Sequence, residues 1–534
     1  METKPQSLAT TSAFEVLGPI MVGPSSSHTA GALRCARVAA SLAGSSIVRV
    51  VFTLWNSFAH TYRGHGTDRA LVGGIMGFDT DDERIPKAFE LAREHGLSFA
   101  FEIGGDDDSI HPNTVDIAMD CDDGSHIEVR GESLGGGRMR ISRINGVGVE
   151  ISGLYSTLFV AHKDAPGALA SLTQAIANAQ MNIAFCRTYR TEAGGKAYSV
   201  FETDGAPARN VLQSVLKLNL VTYATFIELP GSSASLGPGI SVPDLFDDGA
   251  QLLAACEQEE AGIGEIMRKR EELMSSPETA RHNMHRVIET MVDETSSPIK
   301  HPHRSLGGFI GGEARLVARR GTQYAEALMG NVQTEAVARA MAVLERSASM
   351  GVIVAAPTAG SAGVVPGSIL ALARYINADE DIIADALWCA AAVGLCLSST
   401  ACVAGAEGGC QAEVGSAAAM AAAAMVQMLG GTPLQSLDAA SITLANLLGL
   451  VCDPVGGLVE VPCQNRNAIG VAAAFSSAQL VLSGVKSLIP FDEMAKVMLQ
   501  VGHAIPSSLR ETAQGGCAQA PSAVQACSRC AVCA

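Results

Sequence analysis

The 534 residues are enough for two to four domains, each with its own core. Hydrophobic residues make up 48% but aromatics only 4%, so the core is built from small aliphatic side chains, which suits closely packed helices. Lys and Arg number 37 against 54 Asp and Glu, a net charge of −17 that argues against nucleic-acid and anionic-membrane partners. The opening "METKPQSLATTS" carries neither an apolar signal core nor an Arg-rich amphipathic pattern. The most apolar run, "VGSAAAMAAAAMVQMLGG" from Val414, has Glu413 at its edge and reads as a buried helix rather than a membrane span. The expected location is cytoplasmic. In a reducing compartment the 14 cysteines are free thiols, metal ligands or catalytic groups rather than disulfides.

The predicted fold is α+β and multidomain, in three segments. Residues 1–152 form an α/β domain: "AGALRCARVAASLAG" has helical periodicity, while "SIVRVVFTLW" and "SHIEVRG" alternate as strands. Between them lie the loops "GPSSSHTAG", "GHGTD", "HPNT" and "GGG", whose concentration of hydroxyls and imidazoles exceeds what a surface loop needs. Residues 153–230 read as strand, helix, two strands around the turn "TEAGG", helix and strand, the βαββαβ ferredoxin-like order. Asp164 stands where it can cap the first of these helices, with Pro166 in its first turn. Asp164-Ala-Pro-Gly167-Ala-Leu169 and Asn182-Ile183 make this segment resemble an ACT domain, a small-molecule sensor attached to amino-acid enzymes. That resemblance implies a bound amino-acid effector, L-serine first, at an interface between paired domains, hence a homodimer or higher homo-oligomer. After the Gly/Ser/Pro linker "LPGSSASLGPG", residues 231–534 are all-α, with helices interrupted by "SLGGFIGGEA", "APTAGSAGVVPG", "AGAEGGCQAEVG" and "CDPVGGLVEVPC".

Cysteines in helical, alanine-rich sequence (Cys389, Cys396, Cys402) read as core filler. Cys410, Cys452 and Cys463 instead lie in broken, Gly/Pro-rich sequence, separated by 42 and then 11 residues. No zinc-ribbon or ferredoxin spacing matches, so spacing alone leaves structural thiols and metal ligands both open.

The blocks around these cysteines, together with "APTAGSAGVVPG", "LRETAQGG", "GPSSSHTAG", "YRGHGTDRALVGG", "DDERIPKAFELA" and "HPNT", resemble the iron–sulfur L-serine dehydratases over nearly the whole chain beyond about residue 13. The resemblance implies an L-serine ammonia-lyase whose Cys410, Cys452 and Cys463 hold a [4Fe–4S] cluster with one iron open to substrate. It implies a beta-type domain at 1–152 and an alpha-type domain at 231–534. Removing the α-proton of serine needs a base, and an imidazole near neutral pKa suits it. His65 is the first candidate and His28 the second. Ser25, Ser26, Ser27, Thr67, Asn113 and Thr114 are candidates for gripping the carboxylate and amino group, with His60 and His111 orienting loops. A mobile C-terminal tail is expected, with Cys533 as a fourth ligand on the open iron. The C-x-x-C spacings of Cys527, Cys530 and Cys533 alone would equally suit zinc or redox chemistry.

Two other readings stand beside this one. A pyridoxal-phosphate serine or threonine dehydratase would use "APTAGSAG" as its phosphate loop and would need a Schiff-base lysine from Lys269, Lys300, Lys486 or Lys496. A non-enzymatic ACT-type amino-acid sensor would leave the three cysteine loops unexplained.

Overall fold

The computed structural model describes residues 11–153, 155–203, 209–228, 245–323, 328–530 and 532. The linker "LPGSSASLGPG" and Cys533 lie outside these residues. By the density of its contacts the chain divides into two compact units. One, rich in sheet, comprises residues 27–62 and 66–241; the other, rich in helix, comprises residues 1–26, 63–65 and 242–534. Strand β1 (Ile20–Val22) therefore belongs to the helix-rich unit, as does the short stretch containing His65.

In the sheet-rich unit, β2 (Ile47–Trp55), β3 (Ser98–Gly105), β4 (Asn113–Cys121), β5 (His126–Gly135), β6 (Arg138–Ile144) and β7 (Val147–Ile151) form one sheet in the order β3-β2-β4-β5-β6-β7. Side chains alternate across a strand, and Val50, Phe52 and Leu54 of β2 are buried opposite Met119, Ile117 and Val115 of β4. Only the β2–β3 pairing is parallel. The crossover this requires carries helices Asn56–Thr61, Thr67–Ile75 and Ala88–Glu94. Helix Ala32–Ser41 lies against Gly131 of β5, where an added Cβ would stand 2.7 Å from that of Cys35.

The second half of this unit runs β8 (Ser156–Lys163), helix Ala168–Asn178, β9 (Ile183–Arg190), β10 (Lys196–Thr203), helix Arg209–Leu216 and β11 (Val221–Ile227). Its sheet has the order β11-β8-β10-β9, with every pairing antiparallel. Leu158, Val160, Phe201 and Ala224 from the strands meet Leu172, Ile176, Val211 and Val215 from the helices in one core. Thr225 Oγ1 and Tyr223 OH donate to the Ser41 and Ala43 carbonyls, fastening this sheet to the first half. Asp164 does not cap the helix that follows. The helix begins after Gly167, in the left-handed region at φ 87°, without a side-chain cap. Asp164 turns instead to the β9–β10 hairpin, accepting from the Gly194 N–H and from Arg190. Two donors there satisfy the carboxylate better than one helix-end N–H, and its pKa falls below the ordinary range.

The helix-rich unit is arranged around Ser416–Met428, which is buried from Ser416 through Val426. Helices Val364–Ile376, Glu380–Thr400, Pro433–Leu447 and Cys463–Leu482 pack against it. Its alanines, Ala417 to Ala419 and Ala421 to Ala424, present only a methyl group each, so neighbouring backbones come close. The stretches Ala359–Ile376 and Glu380–Thr400 have the length and hydropathy to cross a membrane, but 78% and 67% of their most apolar windows are buried inside the protein.

The N-terminal stretch is built into this unit. Ser12 Oγ and the Ala13 N–H both donate to buried Glu271, and Phe14 meets Trp388 edge-on at 5.5 Å. β1 then pairs antiparallel with β12 (Val352–Val354), Met21 facing Ile353. The Val354 N–H, in turn, donates to Glu294 of helix Pro277–Lys300.

Candidate active site

Cys410, Cys452 and Cys463 are all buried, and hydrogen bonds at or beside each one hold its loop. Cys410 precedes the wide turn Gln411–Gly415 that feeds the central helix. Gln411 ties this turn to the next cysteine loop: its N–H donates to the Leu450 carbonyl, its Oε1 accepts from Gly449 N, and its Nε2 donates to the Met498 carbonyl. Cys452 is gripped by the segment after Leu509, donating its N–H to the Leu509 carbonyl and accepting from Glu511 N. Cys463 opens the helix Cys463–Leu482. One turn on, Asn467 donates to the Cys463 and Gly360 carbonyls and accepts from Gly363 N, which docks the "APTAGSAG" loop onto the same helix.

The loop between Cys452 and Cys463 is clamped from outside by Glu460. Its carboxylate accepts from Ser305 Oγ at 2.6 Å, Gly307 N at 2.7 Å and Phe309 N at 2.9 Å. Thus "SLGGFIGG" is a strap across the cysteine loop. Glu345 adds a second tie, accepting from Ala314 N and from Gln464, the residue after Cys463.

The electrostatics follow from burial. Burial pushes the Cys410 thiol up to about 12; Glu413 adds to the rise and Arg466 opposes it. Cys452 and Cys463 are also driven well above the ordinary thiol range, first by burial and then by nearby negative groups, Glu413 and Glu511 among them. Glu413 accepts from Thr358 Oγ1 at 2.7 Å. A Cβ on Gly405 would stand 2.6 Å from the Glu413 carboxylate and 3.3 Å from Cys452 Sγ, so this approach needs glycine. Burial likewise raises the Glu413 and Glu511 carboxyls. Among the described residues no three His, Cys, Asp or Glu side chains group as ligands of a single metal ion.

The polar loops divide between the units. Ser25, Ser26 and His65, all buried, count with the helix-rich unit that holds the cysteines. Ser27, His28, Thr67, Asn113 and Thr114 count with the sheet-rich unit. His28 is hydrogen-bonded through both ring nitrogens, Nδ1 to Ser27 Oγ at 3.0 Å and Nε2 to Ser57 Oγ at 2.8 Å. Thr114 Oγ1 donates to the His111 carbonyl and Asn113 N to His111 Nδ1, so His111 organises its own loop. His60 pairs with Asp106 at the surface. Thr67, first residue of helix Thr67–Ile75, is fully buried.

Cys389 and Cys396 are core residues of helix Glu380–Thr400, as their setting suggests, whereas Cys402 lies just beyond it with its sulfur accepting from Ala404 N. The C-terminal stretch is folded through Cys530: helix Pro521–Cys527 packs against Val455–Gly457, and the Cys517 N–H donates to Asp453. Arg466, Glu460, Gln411 and Asn467 have no place in the sequence reading, and Glu413 enters it only as the edge of the apolar run. Arg466 and Asn467 carried a signal, lying three and four residues after Cys463 on the same helical face.

Two family models match this chain. The one described as "Serine dehydratase beta chain" covers residues 12–140, and the one described as "Serine dehydratase alpha chain" covers residues 258–518. Residues 141–257, including the β8–β11 sheet, fall between the two. The L-serine dehydratase alpha chain of Peptoniphilus asaccharolyticus is 51% identical over 38% of this chain and 70% of its own length. The beta chain from the same organism is 41% identical over 41% of this chain and 98% of its own. The single-chain L-serine dehydratase of Streptomyces coelicolor is 30% identical over 93% of this chain and 96% of its own. None of these findings supports a pyridoxal-phosphate enzyme. Lys300, Lys486 and Lys496 are exposed, and Lys269 is held by Glu259 and Glu265, so no desolvated amine stands ready for a Schiff base.

The Glu460 strap makes a direct prediction. Glu460→Ala leaves three donors without their carboxylate and should destabilise the protein by about 3 kcal/mol in urea unfolding. A change under about 1 kcal/mol would mean other contacts hold the strap.

Proposed function

Because the chain belongs to the L-serine dehydratase family, we propose that it converts L-serine to pyruvate and ammonium at a [4Fe–4S] cluster held by Cys410, Cys452 and Cys463. The observation that supports this reading is three buried cysteines on two loops that Gln411 ties together, its N–H donating to the Leu450 carbonyl and its Oε1 accepting from Gly449 N. Soft thiolates at three attachment points fit a multi-iron cluster, and an iron–sulfur cation offsets the like charges that burial penalises. Cys410, Cys452 and Cys463 would hold such a cluster, which would supply Lewis-acid chemistry toward the substrate hydroxyl.

The protein's own groups do the rest. His65 is the proposed base for the serine α-proton, with Ser25 and Ser26 of the same unit binding carboxylate or amino group. Loss of the α-proton and the β-hydroxyl, with a proton for the departing oxygen, releases water and leaves aminoacrylate. This tautomerises to the imine and hydrolyses to pyruvate and ammonium. His28 is the second candidate, and its two serine partners leave no ring nitrogen uncommitted in the resting arrangement. The reading places the enzyme in the cytoplasm.

We also infer that residues 153–228 are a ferredoxin-like ACT unit that takes a small amino acid. Supporting this, a cavity of about 240 Å³ opens at the first turn of helix Ala168–Asn178, lined by His162, Ser171, Leu172 and Asn219 among others. Its apolar walls and few polar groups suit a small zwitterion, and the positive end of the helix suits a carboxylate.

Cys410→Ala, Cys452→Ala and Cys463→Ala should each lose the cluster and pyruvate formation together, read as iron and sulfide content beside an anaerobic L-serine assay. Full iron and turnover in any one variant would remove that cysteine from the ligand set.

For His65→Ala, turnover should fall on the order of 10²–10⁴-fold while iron content stays at the wild-type level. Wild-type exchange of the substrate α-proton in this variant would place the base elsewhere.

Gly167→Asp should weaken effector binding to the full chain, measured by calorimetry with L-serine, by a factor of about 5 or more. Its control is Gly167→Asn, which bears the same left-handed backbone cost without the charge. Equal binding by the two variants would rule out a carboxylate at this helix end.

A further inference from the structure

The loops around the cysteines carry several buried carboxylates, and Arg466 is a largely shielded cation among them. It lies three residues after Cys463 and so shares a helical face with it. Its guanidinium is held at two points: Nη2 pairs with Asp453 Oδ1 at 2.6 Å, and Nη1 donates to the Val451 carbonyl at 2.7 Å. Those two acceptors flank Cys452 on either side. Asp453 is committed in turn, since its other oxygen accepts from the Cys517 N–H at 2.6 Å. Both side chains are largely shielded, Arg466 at 14% and Asp453 at 3% exposure, so solvent screens their charges poorly.

We propose that Arg466 is a positioning residue that sets the electrostatic potential at the three-cysteine site, with Asp453 holding it there and partly cancelling its charge. This rests on the reading of Cys410, Cys452 and Cys463 as cluster ligands. A guanidinium beside Cys452 and one turn from Cys463 supplies fixed positive charge to a group anchored by three thiolates. A cluster's reduction potential responds to net charge and to hydrogen bonds near its sulfurs. Fixed positive charge favours the reduced state, which carries one more electron. Removing the guanidinium therefore lowers the potential, and neutralising Asp453 raises it.

The opposite signs make the test specific. Arg466→Gln and Asp453→Asn break the same ion pair, so a purely structural role moves both variants the same way or not at all. The measurement is the midpoint potential of the cluster in the reconstituted full chain, by redox titration monitored by electron paramagnetic resonance. The expected result is a negative shift for Arg466→Gln and a positive shift for Asp453→Asn. Arg466→Lys should lie nearer wild type, because it keeps the charge but cannot bond both acceptors at once. If Arg466→Gln takes up no iron, Arg466→Lys and Asp453→Asn carry the test: an unchanged potential in Asp453→Asn overturns the proposal. Shifts of one sign in Gln and Asn variants overturn it too. A wild-type chain that assembles no cluster would sink the parent reading, whereas a normal cluster with unmoved potentials sinks only this one.

Discussion

Burial is costly for a charge and costlier for several of one sign, and the helix-rich unit is organised around that constraint. Cys410 and the two ends of the loop from Cys452 to Cys463 are all buried, and burial disfavours their thiolates. Holding them there falls to hydrogen bonds that do not depend on a cofactor. Gln411 joins the first loop to the second, the Leu509–Glu511 segment grips Cys452, and Asn467 locks the helix of Cys463 to the Gly360–Gly363 turn. Cysteines held in this way would spend little binding free energy on ordering loops if they took up a cofactor.

Close packing makes this meeting of loops achievable. The central helix Ser416–Met428 is mostly alanine along its buried length, so four neighbouring helices approach it closely. Two of the cysteines stand at the ends of helices in this bundle: Cys410 leads through its turn into the central helix, and Cys463 opens its neighbour. The N-terminal stretch is part of the same construction. Residues 12–26 lie within the match to the beta-chain model, yet Ser12, Ala13 and strand β1 are built into the unit that carries the alpha-chain match. Single-chain fusion of the two parts keeps that stretch at a high effective concentration.

Much of the architecture was legible because it rests on local rules. Period-two alternation located β2 and β5, and the βαββαβ order of residues 156–227 followed from strand and helix patterns separated by Gly-rich turns. The three cysteines stood out because they sit in broken sequence, while Cys389 and Cys396 sit in helical sequence and are core. Tertiary decisions were not legible. Asp164 had the position of a helix cap but found two better donors on a neighbouring hairpin. Nothing in "GPIMVGP" announced that β1 would pair with a strand more than three hundred residues away. Nothing after "AQGG" announced that helix Pro521–Cys527 would lie on Val455–Gly457, a contact between stretches far apart in sequence.

The acidic composition illustrates the same limit. A net charge of −17 reads as a solvated surface, and most of the carboxylates are just that. Several are not. Glu271, Glu294, Glu345 and Glu460 are each buried, and each accepts from backbone N–H groups of a distant segment: Ala13, Val354, Ala314, and Gly307 with Phe309. A carboxylate offers two oxygens and several lone pairs, so one side chain can satisfy donors that a neutral loop would leave unpaired. Burial raises the pKa of such a group and the N–H donors lower it, as at Glu294, where burial dominates and the Val354 N–H opposes it. These glutamates therefore tie irregular segments to the helix bundle. Glu460 ties the strap to the loop that presents Cys452 and Cys463, and so the geometry of the thiols rests on a residue with no chemistry of its own.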